Sequence, residues 1–333
     1  MALPGASAKS SVQQTPSGLT RTAPVLGISL KLGSTLLFAI MVAMLKIAAE
    51  TVPIGEIVFA RNFFGMFPVL FMVAFRGELA IALRTSRPLS HLGRSSVGIS
   101  AMILSFTGFS LLPLPDATAI GFATPLFVVV LAWLVLHETV RLYRWSAVIV
   151  GFFGILIILS PHLGQGDLGS SQMIGAACSA LAAVCAALAM IFVRRLCETE
   201  RTTTIVTWFS GSATLLALLT IPLGFVFPDQ AWVMPDGDTA FILMMVGLAG
   251  GVGQILLTQS YRFADASTIA PFDYANMIWA VILGYFVFSE IPVWQVLVGA
   301  AIVIAAGIFV IFREHRLGLD RTKARRASTP SRS

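Results

Sequence analysis

Charge is what this chain has least of. Only 11% of its 333 residues are Asp, Glu, Lys or Arg, while 57% are apolar. A soluble domain carries about 25% charged and about 45–50% apolar residues. So few charged side chains cannot coat a surface in water, so the outside must face lipid. That argues against a soluble enzyme, a nucleic-acid-binding module and a disordered chain. Cysteine is scarcer still: Cys178, Cys185 and Cys197 are too few for a disulfide framework. The first two lie about two helical turns apart in one apolar stretch, where a bond would crosslink nothing, and all three read as small apolar fillers. The histidines, His91, His137, His162 and His315, sit at loops or span edges without metal-ligand spacing, so neither a metal nor a cofactor is expected. No P-loop, nucleophile elbow or kinase-type motif occurs. Any uphill movement of a solute must then draw on an ion or substrate gradient.

What the chain does have is long apolar runs. A hydrocarbon core about 30 Å thick is crossed by roughly 20 apolar residues. With that ruler the sequence divides into ten spans: 24–49, 54–75, 95–112, 117–136, 145–160, 173–193, 204–227, 239–260, 266–288 and 292–312. The third and fifth are short. The first is too long for a signal-peptide core and follows a polar leader, so it counts as a helix. Residues 1–23 and 313–333, rich in Ser, Thr and Arg, read as disordered cytoplasmic tails, the second one basic. The fold class is an all-α integral membrane protein.

Lysine and arginine set its orientation. Nineteen of the 22 lie in the two tails and in the loops after spans 2, 4, 6 and 8, and none lies in the alternate loops. The rest, Lys31, Lys46 and Arg61, fall inside spans. Both termini are therefore expected in the cytoplasm, in a multi-pass inner-membrane protein. The net charge of +6 faces the anionic inner leaflet, as topology alone requires, and needs no nucleic acid. The C-terminal RTKARRASTPSR reads as a solvated tail, with a partner or acidic lipid as the sharper alternative.

The sequence also repeats. At an offset of 148, Glu50-Thr51 and Ile57-Val58 fall on Glu198-Thr199 and Ile205-Val206, Lys46 on Arg194, and Gly151 on Gly299. Asp116-Ala117 matches Asp265-Ala266 with one extra residue, and Glu138 matches Glu290 after a slip to 152. Five spans per repeat, at 24–160 and 173–312, is an odd number, so the second copy enters the membrane inverted. Inverted repeats are an architecture of secondary transporters, with substrate near the midplane between the halves.

Two segments carry a family likeness: PLPDATAIGFATPLFVVVLAWLVLHET (113–139) and TIAPFDYANMIWAVILGYFVFSEIP (268–292). They resemble the paired signatures of the EamA-type drug/metabolite transporters, in which a helix with a mid-span proline or small residues ends in Glu. The Gly-rich helix that follows is matched by GFFGILIILSP (151–161) and by Gly299 to Gly307. PIGEIVFARNFFG (53–65) resembles the second helix, with Arg61 on the usual arginine. The second half looks most like branches importing riboflavin or S-adenosylmethionine. The chain departs from a paired arrangement at Phe209, which stands where the first repeat has Arg61.

Ionisable groups inside lipid cost about 2.5–3.5 kcal/mol at a helix centre, so they come first as site candidates. Arg61 and Asp273 each lie seven residues into their spans, about 10 Å from opposite edges. They are expected to face one cavity and bind substrate, against the plainer reading of a static arginine satisfied by helix ends. Tyr274, Asn276 and Trp279 would add stacking and an amide edge, or else pack helices. Gln254 and Trp208 complete the expected substrate set, with core packing as the alternative for Trp208. Pro271 loosens the turn before it and frees carbonyls. Pro271, Pro125, Lys46, Glu138 and Glu290 are assigned gating or structural roles. Lys31 is read as snorkelling at a helix end. Glycines 247–253 read as close helix packing.

These features point to a secondary transporter for a small organic molecule, working by alternating access. Import of riboflavin or a similar vitamin or cofactor leads. Export of amino acids or toxic amphiphiles, and S-adenosylmethionine transport, are the rivals. An intramembrane enzyme would need a catalytic constellation that the sequence does not offer, a filter-forming channel would need no inverted five-helix repeats, and uptake into vesicles separates a transporter from a non-transporting scaffold. The expected partners are the solute and membrane lipid, with a homodimer left open.

Overall fold

A computed structural model describes residues 23–75, 77–137, 140–163, 171–197, 199–264 and 266–327. The described elements are helical, as a chain in hydrocarbon requires, because a helix satisfies its own backbone donors and acceptors. The long ones are α1 (Pro24–Ala48), α2 (Ile54–Phe75), α3 (Pro88–Leu111), α4 (Leu114–Gly121), α5 (Thr124–Leu136), α6 (Leu142–Leu163), α7 (Ser171–Leu196), α8 (Thr202–Ala217) and α9 (Gly237–Phe263). They are followed by α10 (Ala266–Ile269), α11 (Ala275–Phe288) and α12 (Trp294–Ala327). Among the described residues nine segments are long and apolar enough to cross a membrane, α4 and α5 together making one.

The remaining expected span, 95–112, corresponds to α3, which is not among the nine. Pro88 starts this helix at a position where its missing N–H costs nothing. The helix therefore begins seven residues before the expected 95. His91, Arg94 and three serines join its first turns and lower its apolar content. The expected span 204–227 is also interrupted: α8 stops at Ala217, and single turns at Leu218–Thr220 and Leu223–Val226 flank Pro222, which cannot donate within a helix. At the C-terminus, α12 continues to Ala327 through a segment expected to be disordered. Arg, Lys, Leu and Ala there are all good helix formers.

The fourth span of each half is a broken helix. Between α4 and α5 the break falls at Phe122–Ala123, just ahead of Pro125. Between α10 and α11 a 3₁₀ turn, Ala270–Tyr274, is opened by Pro271. Each broken helix ends in a left-handed cap, His137 (φ 52°) and Ser289 (φ 55°), the two non-glycine residues with positive φ among those described. These caps lie 152 residues apart, the offset that relates Glu138 to Glu290. Glu138 itself lies outside the described residues.

Packing follows the same correspondence. The contact of α1 with α9 is matched by that of α7 with α3, and the contact of α1 with α11 by that of α7 with α5. The pairs α2–α8 and α6–α12 each map onto themselves. Glycines permit the closest approaches. A Cβ on Gly27 would lie 2.6 Å from Ala264 Cβ, and one on Gly175, 148 positions later, 2.9 Å from Leu111 Cβ. Gly65, Gly247 and Gly251 let α2 and α9 meet backbone to backbone, as expected for small residues between helices in lipid.

Contacts between helix ends fall into two sets. At one end Ala23 N donates to Phe263 O (3.2 Å), Thr85 and Ser86 donate to Glu200, and Arg195 donates to Val135 O. At the other end Lys46 and Leu114 N reach Glu290, and Val233 N donates to Glu56. Helix α3 starts beside the first set and finishes in the second, at Leu112.

Candidate functional site

The broken helix of the second half positions Asp273. Pro271 opens the 3₁₀ turn that carries Asp273, and α11 resumes immediately after it with Asn276 in its first turn. Both residues line a cavity of about 410 Å³ among α1, α3, α4, α7 and α11, within the size range of small-molecule sites. Phe38, Phe109 and Phe122 supply apolar walls, and Ser105, Thr118, Thr124 and Ser179 supply hydroxyls. Lys31 Nζ lies 2.5 Å from Asp273 Oδ1, with the lysine side chain 2% exposed and the aspartate 51%. The ammonium is sealed in protein and faces the Tyr261 ring on its far side, 5.8 Å from the centroid. The carboxylate keeps half of its surface open to the cavity. The acid is thus held on one side by a buried partner and left open on the other.

A second ion pair closes one end of the helix cluster. Lys46 Nζ lies 2.5 Å from Glu290 Oε1 and 2.6 Å from Leu112 O, while Leu114 N donates to Glu290 Oε2 at 2.8 Å. These bonds tie the ends of α1, α3 and α4 to the segment after α11. Leu114 also lines the cavity, so this ionic lock stands at the cavity's edge.

A second cavity of about 690 Å³ lies among α2, α3, α7, α8 and α9 and shares no lining residue with the first. Arg61, Arg94 and Gln254 line it. Arg61 Nη1 donates to Asn62 Oδ1 at 3.2 Å, and the Arg94 guanidinium lies 3.6 Å from the centre of the Phe209 ring.

The expected convergence of Arg61 and Asp273 on one cavity is therefore corrected. Their helix faces are separated, and each arginine or acid has different company. Gln254 goes with Arg61. Trp208 lines neither cavity: it packs on His91, ring centres 5.5 Å apart, and donates to Leu83 O. Trp279 donates to Thr35 Oγ1 at 3.1 Å, and Tyr274 sets its ring edge-on against Phe122 while its hydroxyl meets Gly307. Both aromatics hold helices together, and Tyr274 also fixes a ring that faces the cavity. Lys46 and Glu290 are brought together. Pro125 and Pro271 sit at the helix breaks.

Two residues escaped the reading of the sequence. Lys31 was assigned to snorkelling, although it lies seven residues into its span, the depth of Asp273 in its own. Arg94 was assigned to a loop, although an 18-residue third span was too short and called for extension toward it.

Known proteins resemble this chain over most of its length. The profile of the EamA-like transporter family matches residues 25–160 and again 173–313. The S-adenosylmethionine uptake transporter of Rickettsia bellii is 31% identical over 261 residues, 78% of this chain and 84% of the relative. The riboflavin transporter of Rhizobium johnstonii is 31% identical over 75% of this chain and 79% of its own. The pseudopaline exporter of Pseudomonas aeruginosa is 28% identical over 89% and 96%. A crystal structure at 16% identity has the same fold, with a TM-score of 0.61 over 87% of this chain and 98% of its own. The chain belongs to the EamA-like transporter family. It is a multi-pass membrane transporter and not an enzyme.

Proposed function

We propose that this family member imports a planar heteroaromatic metabolite, recognised by Asp273 in the first cavity. The half-exposed carboxylate pinned by buried Lys31 carries this reading. A cationic or N–H-bearing edge docks on the open side of Asp273, Asn276 bonds the ring periphery, and the ring lies against the phenylalanines. A permanent cation such as the sulfonium of S-adenosylmethionine suits an exposed carboxylate best. Riboflavin, neutral and larger in its ring, is the second reading, favoured by the three aromatic walls.

We propose as the transporter's frame ten crossings in two inverted repeats with both termini cytoplasmic. The distribution of arginine and lysine supports it. So does the sorting of loop contacts into two sets, each containing only loops expected on one side, with α3 running between them. On that frame the Lys46–Glu290 lock is an external gate, broken whenever the first cavity opens outward.

The test is uptake of radiolabelled S-adenosylmethionine and riboflavin into proteoliposomes bearing the full chain. Saturable uptake of one of them, lost in Asp273→Asn at equal protein level, is expected. Uptake of neither, or undiminished uptake by Asp273→Asn, overturns the assignment.

A further inference from the structure

Four buried or half-buried cations among the described residues divide into two kinds. Lys31 and Lys46 each hold a carboxylate. Arg61 and Arg94 hold none among the described residues, although both line the second cavity. Three of their donors are idle: Arg61 Nε, Arg94 Nε and Arg94 Nη1 are shielded from solvent and have no hydrogen-bond acceptor. The helices leave room for both guanidinium groups. A Cβ on Gly250 would come within 3.3 Å of Arg61 Nε, and one on Gly98 within 2.7 Å of Arg94 Nη1. Two like charges therefore face one volume in a setting where an uncompensated charge is costly.

From this arrangement we infer that the second cavity binds an oxyanion, a carboxylate or phosphate group, between Arg61 and Arg94. Guanidinium groups match such anions with paired, charge-assisted hydrogen bonds, and Gln254 adds a neutral donor in the same cavity. The site does not recur in the other half, because the residue 148 positions after Arg61 is Phe209, whose ring instead supports Arg94. The lining extends to Cys197, Thr203 and Tyr261, at the helix ends beside the Glu200 contacts. The anion thus enters from the face that bears the arginine-rich loops. A small soluble anion and the phosphate of an anionic lipid headgroup offer the same chemistry from that side.

Binding in detergent tests this inference without transport, so it stands or falls apart from the Asp273 reading. The full chain, purified in chloride at constant ionic strength, is titrated with inorganic phosphate and with succinate while its thermal midpoint is followed. In parallel it is placed in nanodiscs of phosphatidylglycerol or phosphatidylcholine. A rise with phosphate or succinate identifies a soluble anion, and a rise confined to phosphatidylglycerol identifies the lipid. In either case Arg61→Gln and Arg94→Gln each weaken the response by about tenfold or more, the loss of a charged hydrogen bond. Native Cys197, exposed at the lining, gives a second readout, since its alkylation slows when the anion is present. Gln254→Glu covers the case of poorly folding arginine variants. It supplies an internal counter-ion, so the anion-free protein melts higher and no longer responds. No rise with phosphate, succinate or phosphatidylglycerol overturns the site. So does an equal response in the arginine variants, or an unchanged response in Gln254→Glu.

Discussion

The half of the chain built from α1 to α6 and the half built from α7 to α12 share their packing and differ in their charge. Gly27 and Gly175 make equivalent close approaches, and His137 and Ser289 cap equivalent helices. The cavity positions follow no such rule. Lys31 in α1 corresponds to Ser179 in α7, and Asp273, counted back from its cap, corresponds to Gly121. All but Lys31 line the first cavity. Arg61 corresponds to Phe209. Packing positions are fixed by the distance between helix axes, which both halves must reproduce. Cavity positions are free of that constraint, and there the two halves carry different side chains.

The largest effect should come from removing the charge that only one half carries. Asp273→Ala leaves the Lys31 ammonium buried without a partner. Losing one member of a buried pair costs about 3–5 kcal/mol, with the open side of Asp273 placing this case toward the lower end. Uptake should fall to background. Lys31→Met combined with Asp273→Asn should recover the thermal midpoint but not uptake, which separates the structural role of the pair from its chemical one. A double variant that still transports would mean that solute recognition does not depend on this asymmetry.

The shared frame predicts equal damage in the two halves. Gly27→Val forces a side chain into Ala264, and Gly175→Val forces one into Leu111 and Leu112. Each should cost about 1–3 kcal/mol, the usual scale of overpacking. Thermal unfolding of the two variants side by side checks this. Marked loss in one half only would show that the helix crossings are not equivalent.

Gating sharpens the comparison from another direction, because Lys46 corresponds to Arg194 while Glu290 corresponds to Glu138, outside the described residues. Glu290→Gln keeps an acceptor for Leu114 N but removes the charge that Lys46 faces. A cysteine placed at Ser105, on the cavity wall, should then react several-fold faster with an impermeant maleimide added outside. No change in rate would leave the ion pair as a static brace.

How much of this was legible in the sequence depends on the kind of signal. Apolar runs gave most helix positions, because lipid allows few alternatives, and α2 matches its expected bounds of 54–75. The start of α3 was missed because a polar first turn looks like a loop until Pro88 is read as a helix-starting residue. The breaks at Pro125 and Pro271 were visible as residues, but their geometry was not. Partners were the least legible. Which of several ionisable groups meet depends on helix rotation, and a change of about 100° per residue redirects a side chain. Arg61 and Asp273 sat at suitable depths yet face different cavities, while Lys31 and Asp273 sat at one depth and meet.

The smallest effect concerns a loop contact whose counterpart, Val233 N to Glu56, uses an acid at a different position. Glu200 accepts hydrogen bonds from Thr85 Oγ1 at 2.7 Å and from the backbone and hydroxyl of Ser86 at 3.1 Å. The residue 148 positions earlier is Val52, which can accept none through its side chain. The Thr85 and Ser86 bonds, with a smaller contribution from His91, hold the Glu200 carboxyl below the usual carboxylate range. A folded-state pKa lowered in this way stabilises the folded protein above the unfolded value. That stability is lost as the pH falls through the folded value. For a contact at the protein surface the amount should stay below about 1 kcal/mol. Glu200→Gln should therefore lower the thermal midpoint slightly at neutral pH and by progressively less as the solution is acidified below the carboxylate range. An equal deficit at every pH would mean that the shape of the side chain, rather than its charge, ties these two loops together.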